Sequence, residues 1–579
     1  MTALDWIVLV GTLGSIALYG TWKTRGVRDM DTYFRGGGTL RWPTIGLSIM
    51  ATQASAITFL STPGQGYDDG MRFVQFYFGL PLAMVVISAV FVPIYYRLGV
   101  TTAYEYLEHR FDARVRYLGA VLFLIQRGLA AGITIYAPSI ILSTVLGWPL
   151  NATNMAMGLL VIAYTVSGGT QAVSQTQKQQ MIVMLAGMVL AALLVVWRLP
   201  DDVSLPAALK LAGALDRMNV VSFAVDPNNR YTFWSGLAGG FFLALSYFGT
   251  DQSQVQRYLG GRSITESRLG LLFNGLLKIP MQFVILLTGV LVFVFYLFTP
   301  PPIFFDTGAL ARVAQTSEAG ALQALQQRYD QAFATQRAAA TSYVAALDHA
   351  EDGAEAAARS ALRAAAAQTD ALRDEAKRLV AAALPGAETK DADYVFIGFV
   401  TRYVPSGLVG LLIAVIFCAA MSSTASELAA LGATSTIDLY KRLWERAPTS
   451  DRHDLFVSKL FTVLWGAVAV SFATFAALLD NLIEAVNILG SIFYGTVLGL
   501  FVVGFFVRRV SATPVLLAAL VAQALVIALF LTSSLGFLWY NVIGCGVVVA
   551  VSIVLEQLPG VGSNPGGRRA VGAGVGWDG

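Results

Sequence analysis

Histidine and cysteine are scarce in this sequence, three and two respectively among 579 residues. His109, His349 and His453 lie in polar connections, while Cys418 and Cys545 lie inside apolar runs, so neither a disulfide framework nor a thiolate metal site is plausible. No H-E-x-x-H, P-loop or nucleophile-elbow pattern is present, which argues against a membrane protease or an ATP-driven pump. An intramembrane enzyme would need a catalytic constellation that the sequence does not offer. Charge is thin as well. Asp, Glu, Lys and Arg make up 13% of the chain and balance to a net +3, which leaves no electrostatic footprint for nucleic acid. Apolar residues fill the gap at 56%, a composition of the membrane class and not of a soluble multidomain enzyme. The first apolar run, Trp6 to Tyr19, follows Asp5 instead of a basic start and lacks a convincing A-x-A cleavage site, so it reads as a retained helix.

Apolar runs long enough to cross a bilayer fall at 4–21, 44–66, 73–96, 117–146, 152–168, 178–198, 233–251, 270–298, 396–436, 456–478, 482–506, 513–532 and 536–556. The expectation is an all-α polytopic membrane protein with about 13 transmembrane helices. The 396–436 run is too long for one span, so its end is expected to continue beyond the membrane as helix. Basic residues gather in alternate connections: Lys23 to Arg41, Arg97 to Arg116, Arg257 to Arg268, Lys441 to Arg452, and Arg508 with Arg509. The opposite short connections carry little beyond Arg72, Lys210, Arg217 and Arg230. The richer set belongs in the cytoplasm of an inner (plasma) membrane protein, which puts the N-terminus outside and the C-terminus inside. Residues 305–393 interrupt the pattern. They are Ala-rich, charged and nearly free of Gly and Pro, which suits two long helices turning near Asp352-Gly353 as a hairpin outside the membrane. Such a hairpin is either a solvated spacer or assembly surface, or a substrate-gathering element. The Gly-rich tail from 558 is expected to be disordered.

Two segments have the small residues of interrupted helices. Residues 44–66 are crowded with small and hydroxyl side chains and end in Pro63, Gly64 and Gly66; residues 233–251 carry Gly236, Gly239, Gly240 and Gly249. Interruptions at corresponding places in two halves point to an inverted-repeat transporter, though small residues also let membrane helices pack closely. At 417–427 the hydroxyls of Ser422 and Ser423 can both fold back toward carbonyls one turn earlier, including that of Ala419. A dehydrated alkali cation takes such an oxygen patch when unwound carbonyls complete it. Three charged residues fall at membrane depth: Arg127, Lys278 and Glu427. Lys278 and Glu427 read either as a structural pair or as side chains reaching toward the interface, and Arg127 either as the partner of a protein carboxylate or as the binder of a substrate carboxylate.

The chain resembles the solute:sodium symporter family over nearly its whole length, from Leu4 to about Leu558, with the hairpin as an insertion. The matching stretches are Ser48–Tyr67, Thr102–Phe111, Thr165–Ala172, Asp251–Tyr258 and Ile416–Tyr440, in order and at matching spacing. The resemblance implies a LeuT-type 5+5 inverted repeat, importing a small organic solute with sodium by alternating access. Its halves are 44–198 and 233–506, the second interrupted by 305–393, with an extra helix at 1–22, two C-terminal helices at 513–557 and the tail 558–579. It implies a sodium site built from the carbonyls of Ala51, Ala54 and Ala419 and the hydroxyls of Ser422 and Ser423. Gln53, Thr58 and Arg127 are the substrate-binding candidates.

Two departures narrow the reading. Family members that carry sugars resemble one another in a Gln where this chain has Thr58, and the run from Ala56 to Pro63 looks more like the branch for organic anions and vitamins. A carboxylate-bearing solute is therefore favoured. The family also resembles itself in a Thr-Asp-x-x-Gln run, used by some members for a second sodium or for sodium exit; here it reads Thr176-Gln177-Lys178-Gln179-Gln180. Gln177 and Lys178 thus become the gating and coupling candidates, with Lys178 either reaching interfacial water or repelling the departing cation. The rivals are a proton-coupled transporter of the same fold and a transporter-like receptor, the latter disfavoured because the chain ends shortly after its last helix without a signalling domain.

Overall fold

Helix follows the apolar runs, and its interruptions fall where backbone groups find partners elsewhere. The computed structural model describes residues 1–23, 38–348, 353–385, 389–443, 450–474, 482–559 and 561. Helix α1 (Ala3–Lys23) is followed by α2 (Trp42–Gln53) and α3 (Ala56–Asp69). A 3-10 stretch, Gly70–Tyr77, leads to α4 (Leu80–Val86) and α5 (Val92–Leu98), then α6 (Ala103–Arg110) and α7 (Ala113–Leu146). Next come α8 (Leu150–Trp197), α9 (Leu205–Ala214), a π-helical turn at Ser235–Gly239, α10 (Gly240–Gly249), α11 (Gln252–Leu259) and α12 (Ile264–Phe298). The insertion holds α13 (Thr307–Val313), α14 (Ala319–Asp348) and α15 (Ala354–Ala383). The chain ends with α16 (Ala392–Tyr403), α17 (Leu408–Thr434), α18 (Lys441–Leu443), α19 (Asp451–Ala473), α20 (Leu482–Phe506), α21 (Ala512–Thr532) and α22 (Leu538–Glu556). Among the described residues there is no strand, only one isolated bridge between Leu40 and Gly261.

Nine described helical stretches are long and apolar enough to cross a membrane, and four shorter apolar helices accompany them. Several expected boundaries are corrected. The 44–66 run is not broken at Pro63–Gly66 but at Ala54 and Ser55, and the glycines serve packing: a Cβ at Gly64 would strike the Ala392 carbonyl, and one at Gly66 the Leu286 carbonyl. The interruption expected among the glycines of 233–251 falls instead at Thr250 and Asp251, after α10. The runs 152–168 and 178–198 belong to one helical element of 48 residues. That element nonetheless folds back. Tyr164 and Thr176 are 12 positions apart yet their hydroxyls lie 2.5 Å from each other, whereas a straight helix would separate them by about 18 Å. The 396–436 run is not one helix, because Pro405 forces Val404 into extended backbone and Gly407 turns at φ +88°. Its far end does continue as helix, through a π turn at Ser435–Tyr440 into α18.

In the insertion, α14 and α15 pair as a hairpin around Gly353, which has φ +100°. Two apolar clusters hold it. Ile303, Phe304, Val313, Leu325, Leu372 and Val380 form a core of their own, while Tyr343, Val344 and Leu362, nearer the tip, join the main core of the molecule. Asp352, His349, the connection carrying Arg25, Arg28 and Arg35, Arg446 and the tail after 561 lie outside the described residues.

Candidate functional site

The break between α2 and α3 frees backbone oxygen. In an unbroken helix the Ser55 amide would close on the Ala51 carbonyl; here it donates to Gln53 at 3.1 Å, while the Ala54 amide reaches Met50 at 2.7 Å. The Ala51 carbonyl is left to accept a hydroxyl from another helix. Ser422 of α17 donates to it at 2.5 Å and also lies 3.4 Å from the Ala419 carbonyl, to which Ser423 donates at 3.0 Å. Four of the five oxygens expected at the cation site are thereby drawn to one buried patch between α2 and α17. Ala54 forms the break itself, and no described hydrogen bond joins its carbonyl to the patch.

Directly beside it is a polar knot that sequence reasoning only half anticipated. The Gln177 amide, fully buried on α8, donates to Ser426 at 2.6 Å, to the Ser422 carbonyl at 2.9 Å and to Thr52 at 3.1 Å, and accepts from Ser48 at 2.5 Å. Ser48 and Thr52 sit one turn apart on α2, as Ser422 and Ser426 do on α17, so the signal was hydroxyls at i and i+4 on facing helices. Lys178 is half-buried and makes no ion pair among the described residues.

Arg127 does not face open space. Its fork donates to Asp251 through Nε at 3.1 Å and through Nη2, to Glu427 at 3.1 Å and to Tyr494 at 2.6 Å. Thr134 donates to the other Glu427 oxygen at 2.8 Å, and Ser253 caps the free Asp251 oxygen at 2.6 Å. Of the two roles the sequence leaves open to Arg127, the geometry has the protein carboxylates in it; Asp251 and Tyr494 were not singled out because only the fold brings α7, α17 and α20 together.

The Lys278–Glu427 pair does not form, because α17 turns Glu427 toward α7 while α12 turns Lys278 toward the 3-10 stretch. Lys278 is 1% exposed, so it does not reach an interface either. Its Nζ lies 5.8 Å from the Tyr77 ring centre and makes no ion pair among the described residues. Thr58 is buried one turn into α3, and the Gln53 side-chain oxygen is buried without a hydrogen-bond partner. Among the described residues no three His, Cys, Asp or Glu side chains converge as a metal cluster.

Comparison with known proteins adds a family and a fold. The sequence model of the sodium:solute symporter family matches residues 33–327 and 375–522, passing over 328–374 in the hairpin. The human sodium/iodide cotransporter is 37% identical over 294 residues, 50% of this chain and 44% of that transporter. Human sodium-coupled monocarboxylate transporter 1 is 35% identical over 273 residues, 47% of this chain and 44% of its own length. The chain thus spans less than half the length of these relatives. The sodium/sialic acid symporter SiaT of Proteus mirabilis is 25% identical over 572 residues, covering 96% of this chain and 95% of its own. A solved Na+-coupled sialic acid symporter in a substrate-bound, outward-open state shares the fold with a TM-score of 0.74 at 23% identity, covering 96% of this chain and 97% of its own.

Proposed function

This chain belongs to the sodium:solute symporter family, a family of multi-pass membrane transporters, and we propose on that premise that it imports a small organic anion together with sodium. The observation that carries the reading is the Ser422 hydroxyl meeting the freed Ala51 carbonyl across the broken helix. A dehydrated alkali cation needs several hard oxygens without full negative charge, and unwound carbonyls facing helix hydroxyls supply them. The Ala51, Ala419, Ser422 and Ser423 oxygens are then the sodium ligands, with Ala54 joining as the break adjusts. The cation would link α2 to α17, so its arrival and departure would bias which way the two move.

The anion is read from Lys278. A charged side chain at membrane depth is costly unless it finds a counter-charge, and this one has none among the described residues. A solute carboxylate would supply it, and Thr58 and Gln53 at the break stay the further substrate-binding candidates. Arg127, saturated by Asp251 and Glu427, passes to a supporting role. Relatives named for monocarboxylates and for sialic acid favour the same class of solute, and the one named for iodide shares only its negative charge. We further take 44–198 and 233–506 as the two repeat halves, and the hairpin end as the outer face, with the N-terminus outside, the C-terminus inside, and an inner (plasma) membrane as the site.

Uptake of radiolabelled propionate, lactate, iodide and glucose into proteoliposomes tests this, with a sodium gradient, a potassium gradient or a proton gradient alone. Sodium-driven entry of propionate or lactate is expected, and entry of iodide or glucose alone would overturn the solute class. Ser422→Ala and Ser423→Ala should each raise the sodium concentration for half-maximal uptake with little loss of folded protein, since an interhelical hydroxyl bond in a membrane averages about 0.6 kcal/mol. Entry driven by protons alone, or a double mutant with unchanged sodium dependence, sinks the cation assignment.

A further inference from the structure

The hairpin reaches back over the molecule, and it is anchored at two places by arginines of the same helix. Near its tip, Arg363 of α15 donates from Nε to the Ala214 carbonyl at 2.7 Å and from Nη2 to both Asp216 oxygens at 3.1 and 3.0 Å. Nearer its base, Arg373 donates to Asp391 at 3.1 Å and to the Pro302 carbonyl at 3.3 Å, and lies over the Phe305 ring. Asp391 is held in turn by the Phe305 amide at 2.5 Å. Among the described residues, none of the hairpin's large apolar side chains is strongly exposed. Its outer surface therefore offers no large apolar face to a partner, and the two arginine anchors point inward to the rest of the molecule.

Both anchors lead to the same helix. Asp216 is the one non-glycine residue with positive φ among those described, at +62°, and Arg363 grips it there. The next residue, Arg217, donates to the Asp68 carbonyl at the far end of α3, and its own carbonyl accepts the Met71 amide at 2.9 Å. On the other flank, Asp391 precedes Ala392, whose carbonyl abuts Gly64 of α3, and Asp393, whose carboxyl faces Ser61 of α3. Helix α3 is the half of the broken helix beyond the Ala54–Ser55 break, and every residue from Ala56 to Tyr67 is buried. Tyr67 closes the top against Phe293, Tyr296 and Phe305. The stretch that the family model passes over contains both arginines.

We propose that the inserted hairpin is a brace across the outer half of the broken helix, and that Arg363 and Arg373 set how readily the outer path opens. The proposal rests on the reading of the hairpin end as the outer face. Opening that path requires α3 to part from α16 on one side and from the 214–217 segment on the other. Each arginine holds one of those flanks to the hairpin, so the closed arrangement gains two anchors that the open one must loosen. The brace acts on access and leaves the oxygens around Ser422 untouched.

The test uses the full chain in intact cells, with Ser61→Cys as a reporter and a membrane-impermeant maleimide added outside. Cys418 and Cys545 are both buried and provide the unreactive background. Arg363→Gln and Arg373→Gln should each raise the labelling rate severalfold and lower the outside sodium concentration for half-maximal uptake. Arg363→Lys should return labelling toward the original rate, and Asp216→Asn should match Arg363→Gln without adding to it in the double mutant. If Arg373→Gln fails to fold, the exposed Arg363–Asp216 arm carries the test alone. Labelling from outside at one rate in all variants overturns the brace while leaving the symport reading intact. Labelling only when reagent is delivered to the inside overturns the orientation on which the brace depends.

Discussion

Arg127 and Lys278 are both basic and both buried, and the fold treats them in opposite ways. Arg127 is enclosed by Asp251, Glu427 and Tyr494, each in hydrogen-bond contact. Truncating one member of such a buried group leaves uncompensated charge, which costs about 3–5 kcal/mol. Arg127→Met should therefore lower the melting temperature of the purified protein sharply and reduce uptake along with it. Lys278→Met removes a basic group that has no counter-charge among the described residues, so folding should be unharmed while anion uptake falls; a melting temperature lowered as far as in Arg127→Met would show Lys278 to be structural. Gln177 makes a third case. Its amide bonds Thr52, Ser422 and Ser426 where a carboxylate would be needed to hold another cation. The expectation is one sodium per solute, with a Hill coefficient for sodium near unity, and Gln177→Asp combined with Lys178→Val is the variant in which a second binding step could arise. A wild-type reversal potential that reports two sodium ions per solute would refute it.

At the scale of elements, the proposed brace makes the contact between α3 and α16 the one that shuts the outer path. A Cβ at Gly64 meets the Ala392 backbone, which cannot swing aside as a side chain can. Overpacking of this kind costs about 1–3 kcal/mol, and it falls on the closed arrangement alone. Gly64→Ala should therefore increase outside labelling of Ser61→Cys and lower maximal uptake; unchanged labelling would mean that α3 and α16 do not part. The same contact is expected to respond to pH. Burial raises the Asp393 carboxyl from 3.8 to about 6, where it faces Ser61 and accepts the Leu482 amide at 3.4 Å. A raised carboxyl favours the buried state while protonated, and the penalty for burying it grows as pH climbs from the ordinary value toward about 6, then levels off. Closure of the outer path should thus weaken over that window as pH rises, so labelling should climb faster than the thiolate fraction alone dictates, and Asp393→Asn should leave only the rise that the thiolate fraction imposes on any cysteine.

For the whole molecule, orientation is the property that the labelling predictions borrow from. Tags at the N-terminus and in the hairpin should be reachable from outside intact spheroplasts, and a C-terminal tag only after lysis. A protected hairpin tag would reverse the reading of the basic connections and with it the assignment of inner and outer ends.

Hydropathy was enough to recover most spans, because a helix that meets lipid must be apolar along its length and satisfy its own backbone. The quoted motifs were enough to name a family and to single out Ala419, Ser422 and Ser423, since helical spacing alone sets those hydroxyls over a carbonyl. The place of the break was not legible in this way. Pro63, Gly64 and Gly66 carry the local marks of an interruption yet lie inside α3, packed against α12 and α16, while Ala54 and Ser55 carry none and form it. A helix can open there only because Ser422, 371 residues away, satisfies the Ala51 carbonyl that the break exposes. Likewise, the sequence put three charges in the membrane and left their partners open. Which carboxylates close on Arg127, and that none closes on Lys278 among the described residues, was decided by the packing of α7, α12, α17 and α20, since a charge's partner is fixed by distance in space and not along the chain.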